Sequence, residues 1–166
     1  MRGFEPRETA ALKKLGLVFA VALITLAAPA AALPSSNGMP VFWAHLKATV
    51  SLSRQQITVF WQTADARQFS YTWPVSTGRE GFETPLGKYR PLWADAEHRS
   101  SLYEDAPMPH AVFFVGGYAI HGTTEVKNLG KPASHGCVRL DPANAEIFYN
   151  AVNTVGLFNT VIAVAD

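Results

Sequence analysis

Between positions 46 and 76, apolar and polar residues alternate with a period of two. Leu46, Ala48, Val50 and Leu52 interleave with Lys47, Thr49, Ser51 and Ser53, the pattern of a strand with one buried face. Ser53-Arg54-Gln55 turns the chain, and Ile57, Val59 and Trp61 then alternate with Thr58 and Gln62, so the two runs pair as a hairpin. After the polar stretch 63–67, a third run carries Phe69, Tyr71, Trp73 and Val75 on one face and Ser70, Thr72 and Ser76 on the other. The domain opens as an antiparallel meander.

The pattern then changes. Pro85-Leu86-Gly87 and Pro91 punctuate the chain around a short strand expected over 88–93. Residues 94–110 are polar, lack a period and end in Pro107-Met108-Pro109, which predicts a long loop; within it, 97–107 is the candidate for a mobile lid, since loops of this length in small domains tend to be functional. Two strands follow at 111–115 and 118–121, around Gly116-Gly117. One helix is expected: Asp141 caps it, Pro142 occupies its first position and Gly156 stops it. Its apolar face is read as Ala143, Ile147, Ala151, Val152 and Val155, with Asn144, Asn150 and Asn153 polar. A last strand is expected over 158–164. The fold class is mainly β, an antiparallel sandwich or meander with one packed α-helix near the C-terminus.

Composition bears on the compartment. Residues 1–32 have the parts of a secretory signal: Arg2, Arg7, Lys13 and Lys14, an apolar run over 15–28, and Ala30-Ala31-Ala32 as a small-residue cleavage site. That run of about 14 residues is shorter than the roughly 20 that a membrane span needs. The expectation is a signal peptide at 1–32, a flexible lead-in at 33–44 and one catalytic domain at 45–166. The protein is expected to be exported, most simply to a periplasm, with membrane contact only through the signal segment. In residues 33–166, ten Lys and Arg stand among eleven Asp and Glu with no basic stripe, which speaks against a nucleic-acid partner.

The chain has a single cysteine, Cys137, in Ser134-His135-Gly136-Cys137, and five histidines: His45, His98, His110, His121 and His135. An exported lone thiol is either a small buried hydrophobe or a reactive group. A cysteine nucleophile needs a base and backbone N–H groups aimed at an oxyanion. Both His135, two residues before Cys137, and His121, at a strand end, are candidate bases, and the residues alone leave both readings of Cys137 open. His45, His98 and His110 are read as surface or structural, with His110 and Tyr118 near enough in sequence to line a cleft. Trp43, Trp61, Trp73 and Trp93 are read as core or cleft-wall aromatics.

Ser134-His135-Gly136-Cys137-Val138-Arg139-Leu140, preceded by Ile120-His121-Gly122-Thr123, resembles the active-site signature of the L,D-transpeptidases of the YkuD type. The similarity extends to Tyr71-Thr72-Trp73-Pro74-Val75-Ser76-Thr77-Gly78 and Thr84-Pro85-Leu86-Gly87, and covers roughly 46–164. The resemblance implies Cys137 as the nucleophile that forms a thioester and His121, not His135, as the general base. It implies that the Gly122 carbonyl orients the imidazole and that the N–H groups of Gly136 and Cys137 form an oxyanion hole. Arg139, which stands where many relatives have Asn, is implied to bind a substrate carboxylate or brace the loop, while Ser134 and His135 shape the turn.

The implied substrate is the peptidoglycan stem peptide, cut between the third-position diamino acid and the terminal D-alanine. The acyl acceptor is a second stem peptide, giving a 3-3 cross-link, or an amine of an outer-membrane protein; water as acceptor makes the enzyme a carboxypeptidase. No cofactor and no metal are implied. Two rival readings are a zinc hydrolase with His121, His135 and Cys137 as ligands and a non-catalytic wall-binding module.

Overall fold

A computed structural model describes residues 44–166; the expected signal peptide, most of the lead-in and Trp43 lie outside them. Two sheets enclose one core, and a single α-helix packs between them.

The first sheet starts with the expected meander. Strand β1 (His45–Ser51) pairs antiparallel with β2 (Gln56–Gln62), and β2 with β3 (Gln68–Pro74). Their alternation puts Leu46, Ala48, Val50, Ile57 and Val59 wholly inside. Trp61 and Trp73 also join the core, with Trp61, Phe69, Tyr71 and Trp73 stacked in a row along its margin. Strand β4 (Gly87–Tyr89) is shorter than the expected 88–93.

The stretch 94–110 is not a long loop. It forms a hairpin of β5 (Trp93–Arg99) and β6 (Pro107–Val115), and only the tip over 100–106 turns. The period fails because β5 is half-exposed along its whole length, so no buried face marks it. Pro107 and Pro109 pair with β5 beyond the reach of β7 (Tyr118–Gly122), where a missing N–H costs no ladder bond. His110 adopts φ 55° and breaks the alternation, which lets Met108 join Ala111 and Phe113 in one cluster. Trp93 departs from the core expectation: it is 42% exposed and stacks on Phe113 at 3.9 Å.

Strand β8 (Val138–Leu140) lies parallel to β7 and completes the second sheet, in the order β5-β6-β7-β8. Helix α1 (Pro142–Val155) follows at once, capped by Asp141, whose carboxylate accepts the N–H of Ala143 at 3.0 Å, and ended by Gly156 at φ 88°. Its buried residues are Ala145, Phe148, Ala151, Val152 and Val155. Ala151, Val152 and Val155 are buried as expected, but Ala143 and Ile147 are exposed, because Phe148 takes the core position and sets the stripe 145, 148, 152, 155.

A short 3₁₀ turn (Leu157–Asn159) precedes β9 (Thr160–Ala165), so the last strand starts later than expected. It runs parallel to β1 and antiparallel to β4, closing the first sheet as β3-β2-β1-β9-β4. The mainly β class with one C-terminal helix holds, with two parallel pairings added. Among the described residues, no helix is long and apolar enough to cross a membrane.

Candidate active site

Parallel partners point to the same face, and β7 and β8 are in register with Ile120 opposite Val138 and His121 opposite Arg139. Period two therefore sends Ile120, Val138 and Leu140 into the core, where each is fully buried, and His121, Cys137 and Arg139 to the opposite face. There the three line one cavity of about 190 Å³, together with Tyr103, Met108, Thr123, Glu125 and His135. Residues sixteen positions apart in sequence are neighbours because two short strands lie side by side.

His121 is 5% exposed. Its Nδ1 lies 2.7 Å from the Gly122 carbonyl oxygen; a carbonyl only accepts, so Nδ1 carries the proton and Nε2 is left as a base. Burial lowers the imidazole pKa to about 4, the Gly122 bond opposes this, and the charges of Arg139 and His98 add to the lowering. Gly122 is needed here for space as well, since a Cβ would sit 3.0 Å from Pro109 Cγ.

Cys137 is half-buried and unpaired. Burial raises its thiol pKa, while an N–H bond from Ala119 and the charge of Arg139 pull it back. Both directions favour a thiol and an uncharged imidazole over a thiolate and an imidazolium.

The loop that presents Cys137 is held by buried hydrogen bonds. Ser134, fully buried, donates from Oγ to the Cys137 carbonyl at 2.6 Å and accepts the Gly136 N–H at 3.0 Å. Gly136 stands at φ 110°, and a Cβ there would lie 2.2 Å from the Tyr118 ring, which covers it. In this structure the Gly136 N–H is bonded to Ser134 Oγ, so a role for it at an oxyanion requires that bond to be shared or given up.

The loop rests on the segment that follows β3. Ser76 and Arg139 exchange backbone bonds at 3.0 and 2.9 Å, Ser134 N–H reaches Thr77 O at 2.9 Å, and Arg79 N–H reaches Ser134 O at 3.1 Å. Three residues that the sequence reading missed secure this support. Thr84 Oγ1 donates to the Gly136 carbonyl at 2.8 Å and accepts the Gly78 N–H at 2.9 Å. Gln55, buried at φ 49°, bonds Thr77 through both ends of its amide. Arg79 bonds the His135 ring. Thr84 had a signal in the Thr84-Pro85-Leu86-Gly87 match; Gln55 and Arg79 had none, being joined to the site only by the fold.

His135 commits one ring nitrogen to an arginine. Its Nε2 lies 2.7 Å from Arg79 Nη2, and since a guanidinium only donates, that nitrogen is occupied. Its pKa is lowered by partial burial and by the charges of Arg79 and Arg139. Arg139 lines the cavity, and its guanidinium has no hydrogen-bond partner among the described residues, leaving it open to an anionic group. His98 packs against Trp93 and Phe113, and His110 against Tyr149, both in structural settings. No group of three or more His, Cys, Asp or Glu among the described residues is placed to hold a metal ion, so the zinc reading finds no ligand set.

The family model of the L,D-transpeptidase catalytic domain, YkuD, matches residues 47–162. Among solved structures, an L,D-transpeptidase from Mycobacterium tuberculosis H37Rv is similar at TM-score 0.63 and 24% identity, over 74% of this chain and 58% of that one. One from Mycobacterium smegmatis aligns at 0.59 and 25%, over 73% and 58%. The L,D-transpeptidase 3 of Mycobacterium tuberculosis, solved with a faropenem-derived adduct, aligns at 0.61 and 23%, over 74% and 61%. This chain thus spans about three fifths of those structures. No curated protein matches it.

Proposed function

The chain belongs to the L,D-transpeptidase catalytic-domain family, and from that premise we propose that it is a cysteine acyltransferase of peptidoglycan stem peptides with Cys137 as nucleophile and His121 as base. The observation that carries this is the placement of the one thiol and one buried, Nδ1-anchored imidazole in the same cavity.

In the proposed reaction, a stem tetrapeptide binds with its carbonyl at position three over Cys137 and a carboxylate on Arg139. The sulfur attacks that carbonyl carbon as its proton passes to His121 Nε2. The Gly122 carbonyl, bonded to Nδ1–H, stabilises the imidazolium that forms. The Cys137 N–H supports the oxyanion. Collapse breaks the C–N bond, His121 returns its proton to the departing amine, and D-alanine leaves a thioester on Cys137. An amine then attacks the thioester carbonyl and gives its proton to His121; the C–S bond breaks, and His121 passes that proton to the departing sulfur, restoring thiol and neutral imidazole. A thiol and neutral imidazole at rest suit this sequence, since the proton moves only when the bond forms.

The acceptor is the amine of a second stem peptide, giving a 3-3 cross-link, or an amine of an outer-membrane protein; transfer to water is the carboxypeptidase alternative. The proposal includes export, with residues 1–32 as a cleaved signal and 45–166 as the catalytic domain in the periplasm. Incubation with a tetrapeptide donor, followed by chromatography, tests it: release of D-alanine with formation of a cross-linked dimer supports transfer, release without dimer supports hydrolysis, and no release from the donor overturns the reading.

A further inference from the structure

Arg79 and Tyr103 meet one ring, Arg79 at its edge through Nε2 and Tyr103 on its face. Arg79 Nη2 meets His135 Nε2 at 2.7 Å. The guanidinium carbon lies 4.3 Å above the Phe82 ring, and Phe82 meets His135 edge-on at 4.8 Å, so three residues close around each other. Tyr103, on the tip of the β5–β6 hairpin, stacks on His135 at 4.6 Å and 26°. Among the described residues this stack is the ring contact that joins the tip to the nucleophile loop. The rest of the tip, from 101 to 106, is exposed and held by local bonds: Tyr103 N–H to Ser100 Oγ, Ala106 N–H to Tyr103 O, and Arg99 to Asp105. Tyr103, His135 and Cys137 line the same cavity.

We infer that Arg79 is a positioning residue: by holding His135 through Nε2 it supplies the platform on which Tyr103 stacks, and so keeps the hairpin tip as a wall of the cavity around the Cys137 thioester. The inference rests on the proposed transferase reading for its catalytic consequence, and on geometry alone for its structural one. A wall that stays in place excludes water while an amine acceptor attacks. Loss of Arg79 frees the ring to turn, the stack is lost, and the tip opens.

The test has two arms. Hydrogen exchange at the amides of Leu102, Tyr103 and Ala106 is expected to quicken about fivefold or more in Arg79→Ala and in Tyr103→Ala, with amides of β1 and β2 unchanged. Tyr103→Ala is a change on an exposed tip, so it serves if Arg79→Ala folds poorly. With tetrapeptide donor and an amine acceptor, both variants are expected to form the acyl-enzyme yet shift the ratio of transfer to hydrolysis toward hydrolysis by about fivefold. The double variant shifts it no further, because both act through one stack, and Tyr103→Phe restores the wild-type ratio. Unchanged exchange at the tip in both variants overturns the inference whatever the activity, as does a double variant whose effect is the product of the singles. A wild-type protein that forms no acyl-enzyme instead overturns the transferase reading, and the exchange arm then decides the role of Arg79 alone.

Discussion

His121 Nδ1 lies 2.7 Å from the carbonyl oxygen of Gly122, its own neighbour in β7. The bond spans adjacent residues, so it needs no third side chain to orient the ring, and it leaves Nε2 basic on the cavity side. Replacing His121 by Gln removes the proposed base and keeps a polar group of similar size. Turnover of a tetrapeptide donor is expected to fall by about a thousandfold, within the range for loss of a general base, whereas His135→Gln, which removes a turn-shaping ring, is expected to lose about tenfold or less. Steady-state kinetics of D-alanine release compare the two.

The depressed pKa of His121 predicts where the acid limb of activity lies. As the proposed base, His121 is competent only when neutral, and its pKa of about 4 keeps it so down to that pH. The midpoint of the acid limb in kcat/KM is expected near 4 and not near the ordinary histidine value of about 6.5. A pH profile of kcat/KM with a limb centred above 6 contradicts this.

The same shift has a consequence for stability with the sign fixed by linkage. The unfolded chain takes up a proton at His121 below about pH 6.5, while the folded chain refuses it until about pH 4. The stability that His121 contributes is intact above 6.5 and falls away as the pH drops through that window, by about 3 kcal/mol at the lower end. Denaturant unfolding at pH 7 and pH 4 measures the loss, and His121→Gln is expected to reduce it.

Thr84 Oγ1 stands between the Gly136 carbonyl and the Gly78 N–H. Thr84→Val keeps the shape and leaves both partners without a bond, at a cost of about 1–3 kcal/mol for each group that stays buried. The melting temperature is expected to drop and kcat to fall, since Gly136 adjoins the nucleophile. An unchanged melting temperature shows that the loop does not depend on Thr84.

What could be read from the sequence was local. The meander was legible because β1 and β2 have one buried face each, and the helix ends because Asp141, Pro142 and Gly156 act within one turn of themselves. The candidacy of Cys137 and His121 was legible through two short motifs, Ile120-His121-Gly122-Thr123 and Ser134-His135-Gly136-Cys137. The β5–β6 hairpin was not, because β5 buries neither face and prolines stand at its return. The second half of the helix face was legible, with Ala151, Val152 and Val155 buried as expected, but the first half was not, because nothing local ranks Ile147 below Phe148; the core does. Gln55, Arg79 and Thr84 contact the nucleophile loop or its support across 22 to 56 positions, and only the packed sheets bring them there. The bond from Gly136 N–H to Ser134 Oγ is of the same kind: it forms only once the turn is built.

Transfer through a thioester puts the acyl group on Cys137. Intact mass of the protein after incubation with a stem tetrapeptide donor, and in parallel with faropenem, measures it directly. One adduct per chain is expected with either compound, the peptide adduct being the donor less D-alanine, and none in Cys137→Ala. No adduct on the wild-type protein with either compound, or an equal adduct on Cys137→Ala, contradicts it.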